Sequence, residues 1–418
     1  MQRLNPTLKY ITFSFLAFVC FAVIMPTSGH PWDNFCWSEW SKYIYNNGLG
    51  HVFYSRTDYF PLYHYILKIY SLMQGSPDET WANVRYLKLF TLVFHFVTGY
   101  FVYRITKFKN ENSDTTLVNT FYYLINVAVL YNVIIWGQVD IILACLVFIS
   151  VYYAVQHQSI LSLVFLLLAL NFKLHAIVFV PVIGLLLLPR MISYFSVKKL
   201  FIGSIVLVVL QFLILLPFII DGSVKNLPRI ITGSVDKFAV ISAYAFNIWY
   251  LLLSGDLFNT SDTTIVFGLS YKNWGLVFFL ISSTAALWPL LKTVYTWFAK
   301  KSLHDLALDK IILISALIPL LFFYFNTQMH ERYSHPALVF LITYSLISSK
   351  PLLSIIASVA YFLNLEAELQ FLKLPNYGTV IFDPRFISGL YLLTIIGIFL
   401  HLYEINLQPT AKKTQLSH

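Results

Sequence analysis

Three observations in the 418-residue sequence predict an all-α polytopic membrane protein: its composition, its recurring apolar runs and the positions of its basic residues. Hydrophobic residues make up 58% and charged residues 11%, with a mean hydropathy of +0.71, whereas ordinary soluble domains carry roughly a quarter charged residues. Water is therefore not the main solvent of this chain. Lipid offers no hydrogen-bond partners, so a crossing segment must satisfy its own backbone, which a helix of about 20 apolar residues does. No polar stretch is long enough for a separate soluble domain, and residues 1–418 read as one membrane domain.

The first run, 10–26, follows Arg3 and Lys9 as the apolar part of a signal peptide does. Its length and the lack of a small-x-small cleavage site favour a retained span instead. Further runs at 84–104, 116–134, 138–155, 159–171, 174–189, 199–220, 273–298, 310–325, 336–349, 351–364 and 386–403 bring the expectation to about twelve spans. The runs 159–171 and 336–349 are short, so tilted or re-entrant passage would change that number. With the N-terminus in the cytoplasm, the inner connections receive Arg3 and Lys9, then Arg104, Lys107 and Lys109, then Arg190, Lys198 and Lys199, then Lys300, Lys301 and Lys310, then Lys350, and finally Lys412 and Lys413. Positive charge inside is what topology requires, and only the short turn at 155–159 lacks it.

The 28 Lys and Arg and the net charge of +9 do not imply nucleic acid, because the charges form short clusters between apolar runs rather than one basic face. The three cysteines, Cys20, Cys36 and Cys145, fall mostly within spans and argue against a disulfide framework or a zinc site. No cofactor is expected.

The other side of the membrane then holds 27–83, a first outer loop, 134–138, 171–174, 221–272, 326–335 and 365–385, with most of the unusual polar residues. Ionisable groups at a membrane are expensive and mark sites. In the first outer loop, Asp33 lies just beyond the first span, followed by Trp40 and by Asp58-Tyr59-Phe60-Pro61-Leu62-Tyr63. A partly desolvated carboxylate there gains basicity and can take a proton from an acceptor hydroxyl; the alternative is a helix cap for a helix starting at Asn34. Trp136-Gly137-Gln138-Val139-Asp140 either supports that loop or a sugar hydroxyl, or is a plain interhelical turn with Asp140 at a helix N-terminus. Lys173, in Asn171-Phe172-Lys173-Leu174-His175, either attracts an anionic head group or snorkels to the interface. His330-Glu331-Arg332 reads as a phosphate clamp, because guanidinium binds phosphate bidentately, His330 donates a further bond and Glu331 orients either. A metal site on His330, Glu331 and His335 is the rival, but the second histidine falls one residue late for His-Glu-x-x-His. The loop with Lys225, Arg229, Asp236 and Lys237, followed by Tyr244, Phe246, Trp249 and Tyr250, holds either an interfacial amphipathic helix that binds a lipid carrier or covers the site, or a solvated stretch resting on the membrane.

Taken in order, Asp33, Asp58-Tyr59-Phe60-Pro61-Leu62-Tyr63, Trp136-Gly137-Gln138-Val139-Asp140, Lys173 and Met329-His330-Glu331-Arg332-Tyr333 resemble the GT-C superfamily of polytopic glycosyltransferases. The closest likeness is to bacterial mannosyltransferases similar to the second mannosyltransferase of GPI-anchor synthesis. The interval from Asp33 to Trp40 is also similar to that in the ER glucosyltransferases that extend the asparagine-linked glycan. The resemblance implies a donor that is a polyprenyl-phosphate sugar, with mannose favoured, and an acceptor that is a glycan, lipid or protein. It implies that Asp33 acts as base or orients the acceptor, and that Arg332, His330 and Lys173 hold the donor phosphate. Asp58, Tyr59, Trp40, Gln138, Asp140 and Glu331 would support acceptor or sugar. Many relatives carry a second acid beside the first, where this chain has Asn34. The implied location is the bacterial inner membrane with a periplasmic site, or the ER membrane with a lumenal one. A transporter or flippase of a lipid-linked sugar is the competing function; it calls for internal repeats with broken helices, which the sequence does not display. A non-catalytic membrane scaffold leaves the outer-face clustering unexplained.

Overall fold

All twelve apolar runs are helical in the computed structural model, which describes residues 6–109, 113–233, 237–300 and 305–405. Arg3, Asp236, Lys301, Lys412 and Lys413 lie outside the described residues. The principal helices are α1 (Pro6–Ile24), α2 (Pro31–Asn47), α3 (Pro61–Leu72), α4 (Leu87–Thr106), α5 (Ser113–Leu124), α6 (Asp140–Val155), α7 (Ser159–Phe172), α8 (Val180–Ser193), α9 (Val197–Ile220), α10 (Tyr271–Lys300), α11 (Leu308–Phe325), α12 (His335–Ser348), α13 (Leu352–Leu369) and α14 (Pro384–Leu402).

Among the described residues, eight helices are long and apolar enough to cross a membrane, or nine if the bent pair Asp114–Leu124 and Val127–Trp136 counts as one span. The chain is an integral membrane protein. The expected twelve spans are not all of that kind: α6, α7 and α12 are apolar but only 16, 14 and 14 residues long. At 1.5 Å per residue α6 measures about 24 Å, short of a hydrocarbon core of about 30 Å.

Packing explains why two of these short helices are so apolar. α6 and α12 are buried along nearly their whole length and, with α11, form the centre of the bundle. α1 and α9, by contrast, are mostly uncovered, with lipid-type side chains pointing outward. Apolar character thus has two origins, protein inside and lipid outside, and periodicity alone does not separate them.

The loop 27–83 is itself helical, with α2 and α3 packed on each other. The loop 221–272 opens with a 3₁₀ turn, Ser223–Asn226, that runs directly into the first of its helices. It holds two short helices, Leu227–Gly233 and Ile248–Leu252, and a two-stranded hairpin, Ile265–Val266 with Leu269–Ser270. Gly255 and Gly268, with φ of +100° and +84°, make turns that a helix would not tolerate. Its charges are not simply solvated. Arg229 donates to the carbonyls of Phe53 and Ser55, and Lys225 lies over Tyr54. The loop lies across the 328–330 segment, since Ala243 N–H donates to Met329 O at 2.9 Å and Gln328 N–H to Val240 O at 3.1 Å.

Candidate active site

Asp33 is not the cap of α2. Pro31 starts the helix and His30 caps it, accepting from the Asp33 amide at 3.5 Å, so Asp33 sits in the first turn with its carboxylate free to point elsewhere. It points to the 131–138 turn. There the chain forms one turn of π-helix, Tyr131–Trp136, ended by Gly137 at φ +81°. A side chain at 137 would collide with the stem of Lys88, 2.8 Å from where its Cβ would stand, so this position requires glycine on both counts. The turn presents Trp136 Nε1 and Gln138 Nε2 to one oxygen of Asp33, at 2.9 and 2.8 Å. Gln138 Oε1 is spent on the Val139 amide at 2.8 Å and a long 3.5 Å bond from the Tyr59 hydroxyl. His30 stacks on Trp136, ring centroids 4.8 Å apart and nearly parallel.

Arg332 reaches the other oxygen of Asp33 at 4.0 Å. It also bonds Glu331 at 2.5 Å and lies 3.8 Å from Asp140, which in turn takes Lys173 at 2.7 Å. Arg332 Nε and Asp140 Oδ2 are both buried with no hydrogen-bond partner among the described residues. Lys173 therefore does not snorkel: only 12% of its side chain is exposed and its ammonium sits over the Tyr333 ring. Asp140 does open α6, as expected for a turn residue, but it faces two cations as well.

The electrostatics depart from expectation at Asp33. Burial raises a carboxyl pKa, but here Arg332, His30 and Trp136 outweigh it and hold the Asp33 carboxyl well below the usual carboxylate range. Desolvation was expected to make Asp33 more basic; the neighbouring cation and donors reverse that. Glu331 behaves alike, brought down to about 2 by Arg332 and His330 against the effect of burial. Burial opposes charge on Arg332, yet Asp33, Glu331 and Asp140 hold its pKa well above the normal value. Burial lowers His330, more than Glu331 raises it, so the ring is neutral at pH 7. At His30 burial also lowers the pKa, but the bond to Asp33 wins and the net shift is upward. Its Nδ1 has two exclusive roles: neutral, it accepts from the Asp33 amide; protonated, it donates to the carboxylate 3.4 Å away. Tyr59 is held neutral, chiefly by burial.

These groups border a cavity of about 640 Å³. Asp33, Glu331, Arg332, His330 and Lys173 line it, as do Trp40, Asp58 and Tyr59. Gln138 and Asp140 stand behind the wall and hold Asp33, Arg332 and Lys173 in place. Asp58 is ion-paired with Lys237 from the 221–272 loop, a contact between distant segments. One side of the cavity is apolar, with Phe172, Ile177, Leu276 and Phe322. Ile177 and Leu276 are 54% and 47% exposed on helices long enough to span, so this side of the cavity is edged by outward-facing apolar side chains.

The expected set thus converges, and four further groups join it. Lys237, counted among the loop charges, and Lys272 bring two more cations to the cavity; Glu368 brings another acid. Lys88, 2% exposed, donates to the carbonyls of Pro26, Ser28, Ile134 and Ile135 at 3.2, 2.5, 2.9 and 3.1 Å. It ties the chain entering α2 to the π-turn itself, which is what places Asp33 against Trp136. Arg85 and Lys88 look alike in sequence as flanking charges, and the glycine two residues before Asp140's neighbour Val139 was the only signal that something large lay beneath. His335 is turned away to the Tyr361 hydroxyl at 3.0 Å, so the rival set His330, Glu331 and His335 does not assemble. No three His, Cys, Asp or Glu side chains among the described residues gather as metal ligands do.

Compared with known proteins, the chain matches no family model and no curated protein.

Proposed function

We propose that this chain is a GT-C-type glycosyltransferase that moves a hexose, mannose by resemblance, from a polyprenyl phosphate to an acceptor hydroxyl with inversion. One observation carries the reading: Asp33 and Arg332, from the two ends of the chain, meet at 4.0 Å on a cavity with a charged wall and an apolar wall edged by outward-facing side chains. A polyprenyl-phosphate sugar has those two characters, a polar phosphosugar head and a long apolar tail. The positive-inside pattern supports twelve passages and a site on the outer, periplasmic or lumenal, face.

The donor is a phosphodiester and leaves as a monoester, so the departing phosphate gains about one negative charge during transfer. A buried guanidinium at that oxygen counts for more as the charge develops, the requirement for lowering a barrier. Arg332 offers this by exchanging part of its contact with Glu331 and Asp140 for phosphate; its Nε, already without a hydrogen bond, is the first to be taken. Lys173, Lys237 and Lys272 on the same cavity add positive potential, and neutral His330 supplies an uncharged donor. Asp33 is held as an anion too firmly to store a proton, and its role is to accept a hydrogen bond from the acceptor beside the attacking hydroxyl and so aim that oxygen at the anomeric carbon.

The test is transfer by the purified chain from tritiated polyprenyl-phosphate mannose and glucose to extracted membrane glycolipids. A new labelled glycosidic product is expected. Movement of label across vesicles with no new glycosidic bond would mean a carrier and end the transferase reading.

A further inference from the structure

We propose that Glu368 is the proton acceptor of this cavity, an inference that rests on the transferase reading above. Four carboxylates line the cavity: Asp33, Asp58, Glu331 and Glu368. Three are committed. Asp33 is held by Trp136, Gln138, His30 and Arg332; Asp58 by Lys237; Glu331 by Arg332. Glu368 alone has neither hydrogen bond nor ion pair to any described residue, and its oxygens keep all their acceptor capacity for a ligand.

Its position is nonetheless fixed. Glu366, two residues earlier on α13, is fully buried and bonded to the hydroxyls of Tyr131 and Tyr377 and to the Leu372 amide at 2.9 Å. Two residues along a helix turn the direction by about 200°, so anchoring Glu366 inward sets Glu368 on the opposite side, at the cavity. Tyr131 belongs to the same π-turn that carries Trp136, so one element positions both Asp33 and the end of α13. The charged and titratable groups whose fields reach Glu368 are Glu331, His30, Arg332, Tyr244 and Tyr250. Among the described residues no cation pairs with it, which is the arrangement a base needs if it is to gain a proton and lose it again.

The step balances as a single displacement. The acceptor oxygen forms a bond to the anomeric carbon, the bond from that carbon to the phosphate oxygen breaks, and its electron pair leaves with the polyprenyl phosphate. The hydroxyl proton passes to the Glu368 carboxylate and then to water. Asp33 aims the hydroxyl and Glu368 takes its proton, so two acids divide what a single one was expected to do.

The experiment compares wild type, E368Q and E368D as full chains in one detergent, with the tritiated donors and glycolipid extract above and with equilibrium binding of the donor. Expected for E368Q is a 10²- to 10⁴-fold fall in kcat, the range of general base catalysis, with donor binding unchanged. The acid limb of the pH profile should vanish, and E368D should recover part of the rate. E368Q within a few-fold of wild type with the same pH profile overturns the proposal while leaving the transferase reading intact. If wild type transfers from no donor, the transferase reading fails and this inference with it. If E368Q does not bind donor, wild type is treated with a water-soluble carbodiimide: label at residue 368 with transfer lost supports the assignment, and label there with transfer intact overturns it.

Discussion

The two ends of the bundle use the same kinds of ion pair in opposite ways. At the end where α7 leads into the 174–179 turn and α11 finishes, Asp33, Asp140 and Glu331 are buried around Arg332 and Lys173, three acids against two basic side chains. At the end where α8 finishes and α11 begins, Arg190 bonds Asp305 at 2.6 Å, His157 approaches the same carboxylate and Lys109 faces Asp309, and the Asp305 side chain is 57% exposed. Exposed pairs are screened by water and salt and are readily formed and lost. Buried groups have given up hydration, and an excess of one sign persists only where the surrounding donors hold it. On the proposed transferase reading, the buried, unbalanced end is the one that takes the charged ligand, while the exposed pairs fasten loops.

The comparison breaks most visibly at Arg332. Arg332→Ala leaves Asp33, Glu331 and Asp140 together without their shared cation; breaking a buried pair costs about 3–5 kcal/mol. Transfer is expected to fall below detection, with a lower melting temperature that added donor no longer raises. Survival of transfer at a tenth of the wild-type rate would remove Arg332 from the phosphate. Asp33→Asn comes next. Asn still accepts from Trp136 and Gln138, so the fold should hold while the loss of orientation lowers transfer by about 10²-fold, as a radiolabel assay beside a melt would reveal.

Lys88→Met tests the support beneath the site. It leaves four carbonyls without their donor, at a cost of about 1–3 kcal/mol for each that stays unsatisfied, and loosens the fit of Trp136 to Asp33. A lower melting temperature with a roughly tenfold loss of transfer is expected if positioning matters, since small misplacements are costly. Unchanged transfer with lowered stability would confine Lys88 to a structural part.

The pattern of what was legible follows from this chemistry. Lys173 stands out because it interrupts an apolar stretch, and Asp33, Gln138, Asp140, Glu331 and Arg332 because they lie in or beside the short polar segments between runs on one side of the membrane; all six converge. Lys88 and Glu368 escaped notice because each lies at the edge of a run, where charge is ordinary. The apolar run before Glu368 ends at 364, but α13 continues to Leu369 and carries Glu366 and Glu368 within the helix. The Lys237–Asp58 pair joins segments far apart in sequence, which no local pattern encodes. The basicity of Asp33 was misjudged for the same reason: desolvation is local and readable, but the countercharge comes from the far end of the chain.

A smaller effect is expected from acid. Glu331 is shifted down from 4.5 to about 2, so its contribution to stability is complete above its unfolded value. That contribution is lost as pH falls from about 4.5 through about 2, because the unfolded chain binds the proton first. Melting temperatures measured between pH 6 and pH 3 should decline in wild type and decline less in Glu331→Gln. Equal slopes would mean that Glu331 is not held by Arg332 as described.

The smallest effect tests the other half of the comparison. Asp305→Asn removes the partner shared by Arg190 and His157, yet both partners and the acid remain in reach of water, which replaces the lost contact. Stability is therefore expected to stay within about 0.5 kcal/mol of wild type, and transfer to be unchanged. The Lys109–Asp309 pair, at 3.9 Å and half-exposed, should matter still less when Asp309 becomes Asn. A large loss of stability from either change would show that this end of the bundle is fastened as rigidly as the cavity end. The contrast drawn from burial would then fail, and with it the argument that an unbalanced buried cluster marks where the ligand binds.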